Sequence, residues 1–504
     1  MILLVARREV VDHLRSPRFL ALCALTVVLL PLSAYVNAGD WQARRAFHDA
    51  LEHARLARLT ADSTGDVITA DGVHGRAPWG WRAGEVSTDE ALRAIRAPAP
   101  LSVLAAGDAT SLPAYWQFGS EGVAPGPPLA APGSGSGSGG SGTDFVFVVQ
   151  VVLGLLAVLL GGDAVCGEAE SGVLRAVLAN PVPRAHVVVG KYVGGMITLL
   201  VPIALGAPLA LLVLRARGVP VADAWPRAVA FVVLALLYLS AMLALAIAVS
   251  TRTHRARTAL VVLLVAWVVL VLVVPRAADL VAAGVHPVEP DELARRARVA
   301  AADAIEAERV DALVDLWRRV AGSDEIPSGA FPPSLKREYN AARAPVEDEM
   351  FRRKRAAFAA LDGDREHATR ARHAIVVAVS RASPAATFAL AAAELAGTGE
   401  RTRQRWLAQV RAQQRALESA AFDHVYGVEL FAARMGKLRI TWAPDPTDPA
   451  DLPPSYTDLP RFAYVDEPVG AALRAALPDV AWLLGCNLCL LGAAVAGFVR
   501  YEVG

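Results

Sequence analysis

Residues 145–195 read FVFVVQVVLGLLAVLLGGDAVCGEAESGVLRAVLANPVPRAHVVVGKYVGG. Phe145 to Leu160 carries no charge, and Gly161 and Gly162 lengthen the run. A helix rises about 1.5 Å per residue, so about 20 apolar residues cross the hydrocarbon core of a bilayer. The run therefore reads as a membrane span over 144–162. Beyond it the chain turns polar, with Glu168 and Glu170 early and Leu174, Val177 and Leu178 later. That order predicts a short amphipathic helix starting near Gly167 and Glu168. Its acids sit where the helix dipole favours them, and its apolar residues share a face. Pro181 and Pro183 end it. Arg184 and Lys191 then anchor a second span, 187–214, at the interface. Such a helix between two spans has two readings: it docks into a groove of another protein, or it lies on the lipid surface.

The apolar pattern recurs on both sides of this stretch. Arg18–Val36, Ala228–Val249, Ala259–Val274 and Val480–Val499 are further runs with almost no internal charge. With the two above they assign spans at 18–36, 144–162, 187–214, 228–250, 258–275 and 478–499. Composition agrees. Of 504 residues, 54% are apolar without glycine, and 39 glycines raise the share to about 62%, against about 45–50% in soluble globular chains. Charged residues make up 20% and the net charge is +1, so no whole-molecule field recruits nucleic acid. Disordered, collagen-like and disulfide-scaffold classes are excluded. The fold class is an all-α polytopic membrane protein with six transmembrane helices.

Positive charge near the spans sets orientation. Arg7, Arg8, Arg15 and Arg18 precede the first span, Arg175, Arg184 and Lys191 follow the second, and Arg252, Arg255 and Arg257 join the fourth to the fifth. With these inside, both termini are inside, as is Arg500. Arg215, Arg217 and Arg227 oppose this from the short third-to-fourth loop. Val36-Asn37-Ala38 has the small-residue spacing of a signal cleavage site. Yet 18 residues precede that apolar run, and cleavage would put the termini on opposite sides. The first run is therefore read as a retained span.

Residues 1–17 read as an interfacial helix on the cytoplasmic surface, with Leu3, Leu4, Val10, Val11 and Leu14 apolar. Two extracytoplasmic insertions follow from the topology. The first, 37–143, opens helically over Trp41–Leu59 and suggests short strands near Val67–Thr69 and Leu101–Leu104. It ends in the Gly/Ser linker 133–142, with an r.m.s. reach of about 17 Å. That linker is either an engineered replacement for a native loop or natural drift, and has no chemical role. The second insertion, 276–477, is helical by pattern over Glu292–Val320, Pro345–Val379 and Arg401–Met435. Pro287, Pro290, Pro327, Pro332 and Pro333 mark breaks, and Pro444–Pro460 is extended. Residues 500–504 form a cytoplasmic tail.

Several chemistries lack their residues. Gly190-Lys191 is followed by Tyr192 and Gly436-Lys437 by Leu438, so neither is a phosphate-binding P-loop, and the chain is not expected to be an ATPase. His48 and His53 do not share a helix face, nor do His367 and His373, so no metal or catalytic site is assigned. Cys23, Cys166, Cys486 and Cys489 all lie in or beside spans, which excludes disulfides in the insertions. Asn487 is a polar group within a span and should face a partner helix. Pro202 and Pro208 predict a kinked third span, and Gln150 is a lone polar group in the second.

The 163–195 stretch closely resembles the coupling-helix region of ABC-2-type permeases, the membrane subunits of ATP-binding-cassette transporters. Gly167, Glu168, Glu170, Gly172, Leu174, Pro181, Val182, Arg184, Gly190 and Lys191 match the family pattern. Ala169 and Val173 replace a usual basic residue and a usual Thr. Arg381-Ala382-Ser383-Pro384-Ala385-Ala386, Ala396-Gly397-Thr398-Gly399, Pro98–Ser102 and the Arg500-Tyr501-Glu502-Val503 tail resemble one branch of that family. Members of that branch carry a large domain between the last two spans and include the nitrous-oxide-reductase maturation and gliding-motility permeases.

The resemblance implies a permease subunit, by family habit an exporter, in a bacterial inner membrane. It implies a partner ATPase dimer that binds ATP and Mg, with no cofactor in this chain. It also implies a second permease chain, identical or related. The implied ATPase-coupling contacts are Glu168, Glu170, Gly172, Leu174, Leu178, Pro181 and Arg184. Two other readings stay open on the residues alone. One is a membrane-tethered extracytoplasmic enzyme working in 276–477; the other is a non-transporting ABC-type assembly or sensor scaffold.

Overall fold

A computed structural model describes residues 2–64, 93–107, 113, 115–119, 122–125, 144–179, 183–221, 225–288, 290–323, 333–422, 431–432, 439–440 and 461–501. Six helices among them are long and apolar enough to cross a membrane: Pro17–Ala57, Phe145–Glu170, Arg184–Ala216, Trp225–Ser250, Ala256–Val285 and Val469–Val499. Each apolar run of the sequence falls on one of them.

The chain opens with helix α1 (Ile2–Leu14) and then α2 (Pro17–Thr64), which passes Pro31 unbroken for 48 residues. The first span thus continues as one helix through Trp41–Leu59, which the sequence also reads as helical. The second span is α3 (Phe145–Phe147), a π segment (Val148–Leu153) and α4 (Gly154–Gly162). Asp144 caps its start, accepting from the Phe147 amide at 2.8 Å and the Ala106 amide at 3.0 Å. Next come two short helices, α5 (Cys166–Glu170) and α6 (Val173–Leu178), then the spans α7 (Arg184–Ala216) and α8 (Trp225–Ser250). The fifth span is α9 (Ala256–Val268), a second π segment (Val269–Val273) and α10 (Val274–Val285).

Close approach holds the bundle together. A Cβ on Gly161 would stand 2.6 Å from that of Ala246, so α4 lies directly on α8. The last span is α15 (Val469–Val499), longer at its start than the apolar run because Val469–Leu477 is helical too. On it, buried Asn487 donates to the Leu237 carbonyl at 3.0 Å and the Leu483 carbonyl at 2.8 Å, and accepts from Ser240 Oγ. The polar group therefore faces a partner helix, which is what lipid enforces.

In the first insertion, β1 (Arg93–Ile95), β2 (Tyr115–Gly119) and β3 (Gly122–Pro125) form an antiparallel sheet in that order. The register pairs Ala94 with Trp116 and Gln117 with Ala124. The strand expected at Leu101–Leu104 is instead a 3₁₀ turn over Pro100–Val103. Pro100 fixes φ at its start, and Ser102 Oγ donates to the Ala99 carbonyl at 2.7 Å. Val67–Thr69, the 133–142 linker and Pro444–Pro460 lie outside the described residues.

The second insertion continues with α11 (Asp291–Ala321), α12 (Pro333–Ser380), α13 (Pro384–Ala396) and α14 (Glu400–Phe422), then the two-residue pair β4 (Phe431–Ala432) and β5 (Arg439–Ile440). Helix α12 starts at Pro333, not Pro345, because a proline costs least in a first turn and Pro345 is absorbed inside. Trp317 meets Tyr339 edge-on at 5.5 Å, Arg309 pairs with Glu347 at 2.8 Å, and Arg298 pairs with Asp362. Falling numbers meet rising ones, so α11 and α12 run antiparallel.

Helix α13 does not stay with its neighbours in the insertion. It packs among the second, fourth, fifth and sixth spans. Phe388 is fully buried, stacks on Tyr238 at 5.2 Å and meets Phe231 edge-on at 6.0 Å. Ser383 caps the helix, accepting from the Ala385 and Ala386 amides while donating to the Leu270 carbonyl at 2.5 Å. Gln150, the lone polar group of the second span, donates to the Ala385 carbonyl at 2.6 Å. Trp482 of α15 donates to the Arg381 carbonyl at 2.8 Å. Both π segments thus touch the first turn of α13. At its other end Gly397 takes φ 73°, and Thr398 Oγ1 donates to the Ala105 carbonyl at 3.0 Å. The Ser-Pro-Ala and Ala-Gly-Thr-Gly segments are the two caps of this helix.

Candidate functional site: the connection between the second and third spans

The connection that reads from sequence as one amphipathic helix is two. Gly172 stands between α5 and α6 with φ 75°, a conformation that costs a residue with a Cβ but not glycine. The single-helix expectation failed because Gly172 lay inside an acceptable helical pattern. The connection is fastened to the bundle from several sides. Ser250, ending α8, accepts from the amides of Val165 at 3.0 Å and Cys166 at 3.2 Å, the first donors of α5. Glu170 accepts the Ala256 amide at 3.2 Å, so a carboxylate sits on the first turn of α9. Leu174 is fully buried in the bundle core.

Arg184 serves the last span. Its guanidinium donates to the carbonyls of Val499 at 2.9 Å and Tyr501 at 3.0 Å. These are carbonyls at the end of α15 that would otherwise lack partners. Tyr501 in turn donates to the Thr253 carbonyl at 3.4 Å. Residues 163–179, 251–255 and 500–501 therefore share one end of the bundle, together with α1.

Glu168 points inward to an ion cluster. Its carboxylate lies 3.0 Å from Lys191 Nζ and 3.7 Å from Arg8 Nη2. Lys191, only 3% exposed, also bonds Glu9 of α1. His13 lies 3.7 Å from Glu9 and 3.4 Å from Thr198 Oγ1. Burial holds the His13 imidazole below its usual pKa range, against the opposing pull of Glu9. Glycines let α1 come this close. A Cβ on Gly190 would be 2.7 Å from Val5 Cβ, and one on Gly194 would be 2.7 Å from Glu9 Cβ. The face of α1 turned to the bundle is therefore Val5, Ala6, Glu9 and His13. The expected apolar face turns away: Leu3 is 77% and Leu4 65% exposed.

The seven residues singled out by the sequence thus separate. Glu168, Glu170, Leu174 and Arg184 make contacts within the chain. Glu170 and Gly172 are exposed, with Ser171, Arg175 and Ala179 beside them. Pro181 and the Leu178 side chain lie outside what the structure describes. Sequence reasoning missed Glu9, Gly194 and Ser250. Neither Glu9 nor Ser250 carried a signal: Glu9 stands among Arg7, Arg8 and Asp12 like any interfacial acid, and the lysine it meets is far off in the sequence. Among the described residues no group of three or more His, Cys, Asp or Glu is placed to hold a metal ion.

A search of curated proteins finds no match. The family described as ABC-2 family transporter protein matches residues 3–316, which run from α1 through five spans into α11. Residues 163–195 lie wholly within the match. The chain belongs to the ABC-2 transporter family: it is a multi-pass membrane permease of an ABC transporter.

Proposed function

We propose that this chain is an exporter permease of a bacterial inner membrane, with both termini inside, driven by ATP hydrolysis in a separate ATPase dimer. Permeases of this family are paired with an ABC ATPase subunit. The dimer would bind ATP and Mg; this chain would contribute no catalytic residue. A second permease chain, identical or related, completes the assembly. The end of the bundle holding α1 and residues 163–179 also carries Arg7, Arg15, Arg18, Arg175, Arg255 and Arg257, which supports placing it inside.

The observation that carries the reading is the exposed turn Glu170–Gly172, set between two short helices that are each tied to other spans. A partner that pushes on this turn moves α9 through Glu170, α8 through Ser250 and α7 through Glu168. Arg184, at the start of α7, carries the end of α15 with it. Thus four spans answer to one loop, which is the leverage a coupling element needs. Residues Glu170, Ser171, Gly172, Arg175 and Ala179 form the surface offered to the ATPase. Leu174 holds that surface in place from within.

The test is Glu170→Arg in the reconstituted complex, with Ser171→Arg as a second variant that spares the Ala256 bond. Loss of ATPase-subunit binding, or of stimulated ATP hydrolysis with the chain still folded, is the expected result. Wild-type binding and hydrolysis in both variants would refute the assignment.

A further inference from the structure

We infer that α1 is a moving part of the coupling device, and that Lys191 is a cation shared between Glu9 of α1 and Glu168 of α5 so that displacing α5 resets α1. The inference rests on the proposed docking of an ATPase at 170–179 and goes beyond it, because α1 lies outside that surface.

The way α1 is attached is the first argument. An amphipathic helix that merely packs on a bundle buries its leucines against it. Here Leu3 and Leu4 face away, while Glu9 is 7% exposed and turned inward. Glycines at 190 and 194 give backbone-close contact without much apolar area. What specifies the seat of α1 is therefore largely charge.

The second argument is how the charges are divided. Lys191 has two carboxylate partners from two different elements, and only Glu168 belongs to the loop proposed to move. Arg8 reaches Glu168 from α1 at 3.7 Å, so α1 and α5 also meet directly. His13 and Asp12 from α1, and Asp163 with Arg18 at 3.9 Å, are the other titratable groups at this junction. A buried cation held by one carboxylate is bound more tightly by it than one shared between two. Withdrawing Glu168 therefore strengthens the Glu9 bond and fixes α1 to α7; returning it relaxes both. Buried ion clusters contribute little net stability compared with apolar packing. Their use is to make one arrangement of elements differ sharply from another.

The experiment uses the full chain with its ATPase subunit in lipid nanodiscs. It follows tryptic cleavage after Arg7, Arg8 and Arg15 by mass spectrometry, with and without ATP plus vanadate. In the wild type, nucleotide is expected to change the cleavage rate at least threefold. Glu9→Gln, which keeps size but loses charge, should raise cleavage about tenfold and remove the nucleotide response while the ATPase subunit still copurifies. Glu168→Gln should leave α1 protected yet also remove the response. A Glu9→Gln chain cleaved at the wild-type rate overturns the inference. So does raised cleavage with the nucleotide response intact, since that is a purely structural role. If Glu9→Gln does not fold, Glu168→Gln decides: a preserved response refutes the shared cation. Should the complex not form even in the wild type, the docking proposal fails first, and separately. The seat of α1 is then still read from cleavage without nucleotide, and Glu9→Gln at the wild-type rate refutes it.

Discussion

Phe388→Ala tests whether α13 truly belongs to the bundle. Phe388 is fully buried, stacked on Tyr238 at 5.2 Å and edge-on to Phe231 at 6.0 Å. Truncating a phenylalanine in such a place removes its burial and leaves a cavity, at a cost of about 3–5 kcal/mol. The same truncation on a solvated helix costs about 0.5 kcal/mol or less. A large membrane protein unfolds irreversibly, so the quantity to measure is a lifetime on heating. Purified protein in detergent is held near its inactivation temperature, and monodisperse chain is counted by size exclusion over time. At about 1.4 kcal/mol per tenfold, even half of the lower cost shortens the half-life about tenfold. Phe388→Leu, which nearly conserves volume, should cost less than about 1.5 kcal/mol. Phe47→Ala, on a half-exposed position of α2, is the control and should change little. Equal half-lives for Phe388→Ala and Phe47→Ala would refute the placement of α13 among the spans.

Asn487→Leu removes two donated bonds and one accepted bond inside the bundle. Polar pairs between membrane helices average about 0.6 kcal/mol, so a modest loss is expected, below that of Phe388→Ala in the same heating assay. Gly194→Val should displace α1, because even a Cβ would stand 2.7 Å from that of Glu9; Gly492→Val, with nothing within 4 Å, should not. Amide exchange along residues 2–14 reads the difference, and equal protection would refute the contact. The seat of α1 should also depend on pH. Buried His13 resists the proton that a released α1 accepts, so stability is full above the ordinary histidine value of about 6.5 and is lost as pH falls through the lower folded value. Exchange of α1 amides, corrected for intrinsic rate, should rise between pH 7 and 5 in wild type and flatten in His13→Gln. Protection that grows with acid would contradict this.

Much of the architecture is legible because lipid imposes one simple demand. A helix must be apolar for about 20 residues to cross, and all six such runs are visible without any knowledge of packing. Asn487 is legible for the same reason, since a polar group in hydrocarbon has to find a partner. The site is less so. Glu168 and Glu170 stand two residues apart and look alike, yet one feeds a buried lysine and the other caps a distant helix. Nothing in their spacing distinguishes these roles, which depend on where α1 and α9 come to rest. Arg184 reads as an interfacial anchor, and its contact with the Val499 and Tyr501 carbonyls needs the last span in place. Helix α13 is the largest omission. Its alanine-rich run, Ala385–Ala396, is too short to span and lies between the insertion stretches that read as helical; only Ser383 and Gly397, a serine cap and a left-handed glycine, bound it.

The burial of α13 bears on the order in which the protein is made. Its seat is walled by the π segment of the second span, α8 and the fifth span, which are all synthesised before residue 384, and by α15, which comes after. When the ribosome reaches α13, three walls wait with an unfilled groove, and the fourth does not exist. The core can therefore close only once α15 has been made and Arg184 can reach the Val499 and Tyr501 carbonyls. Chains that fold from the N-terminus onward would hold a five-span intermediate for about 200 residues, so truncation anywhere in that interval leaves a bundle open at its centre. Cutting out 276–477 as a separate soluble piece has the reverse defect. It carries away the plug, with Phe388, Ala391, Ala392 and Leu395 stripped of the spans that cover them.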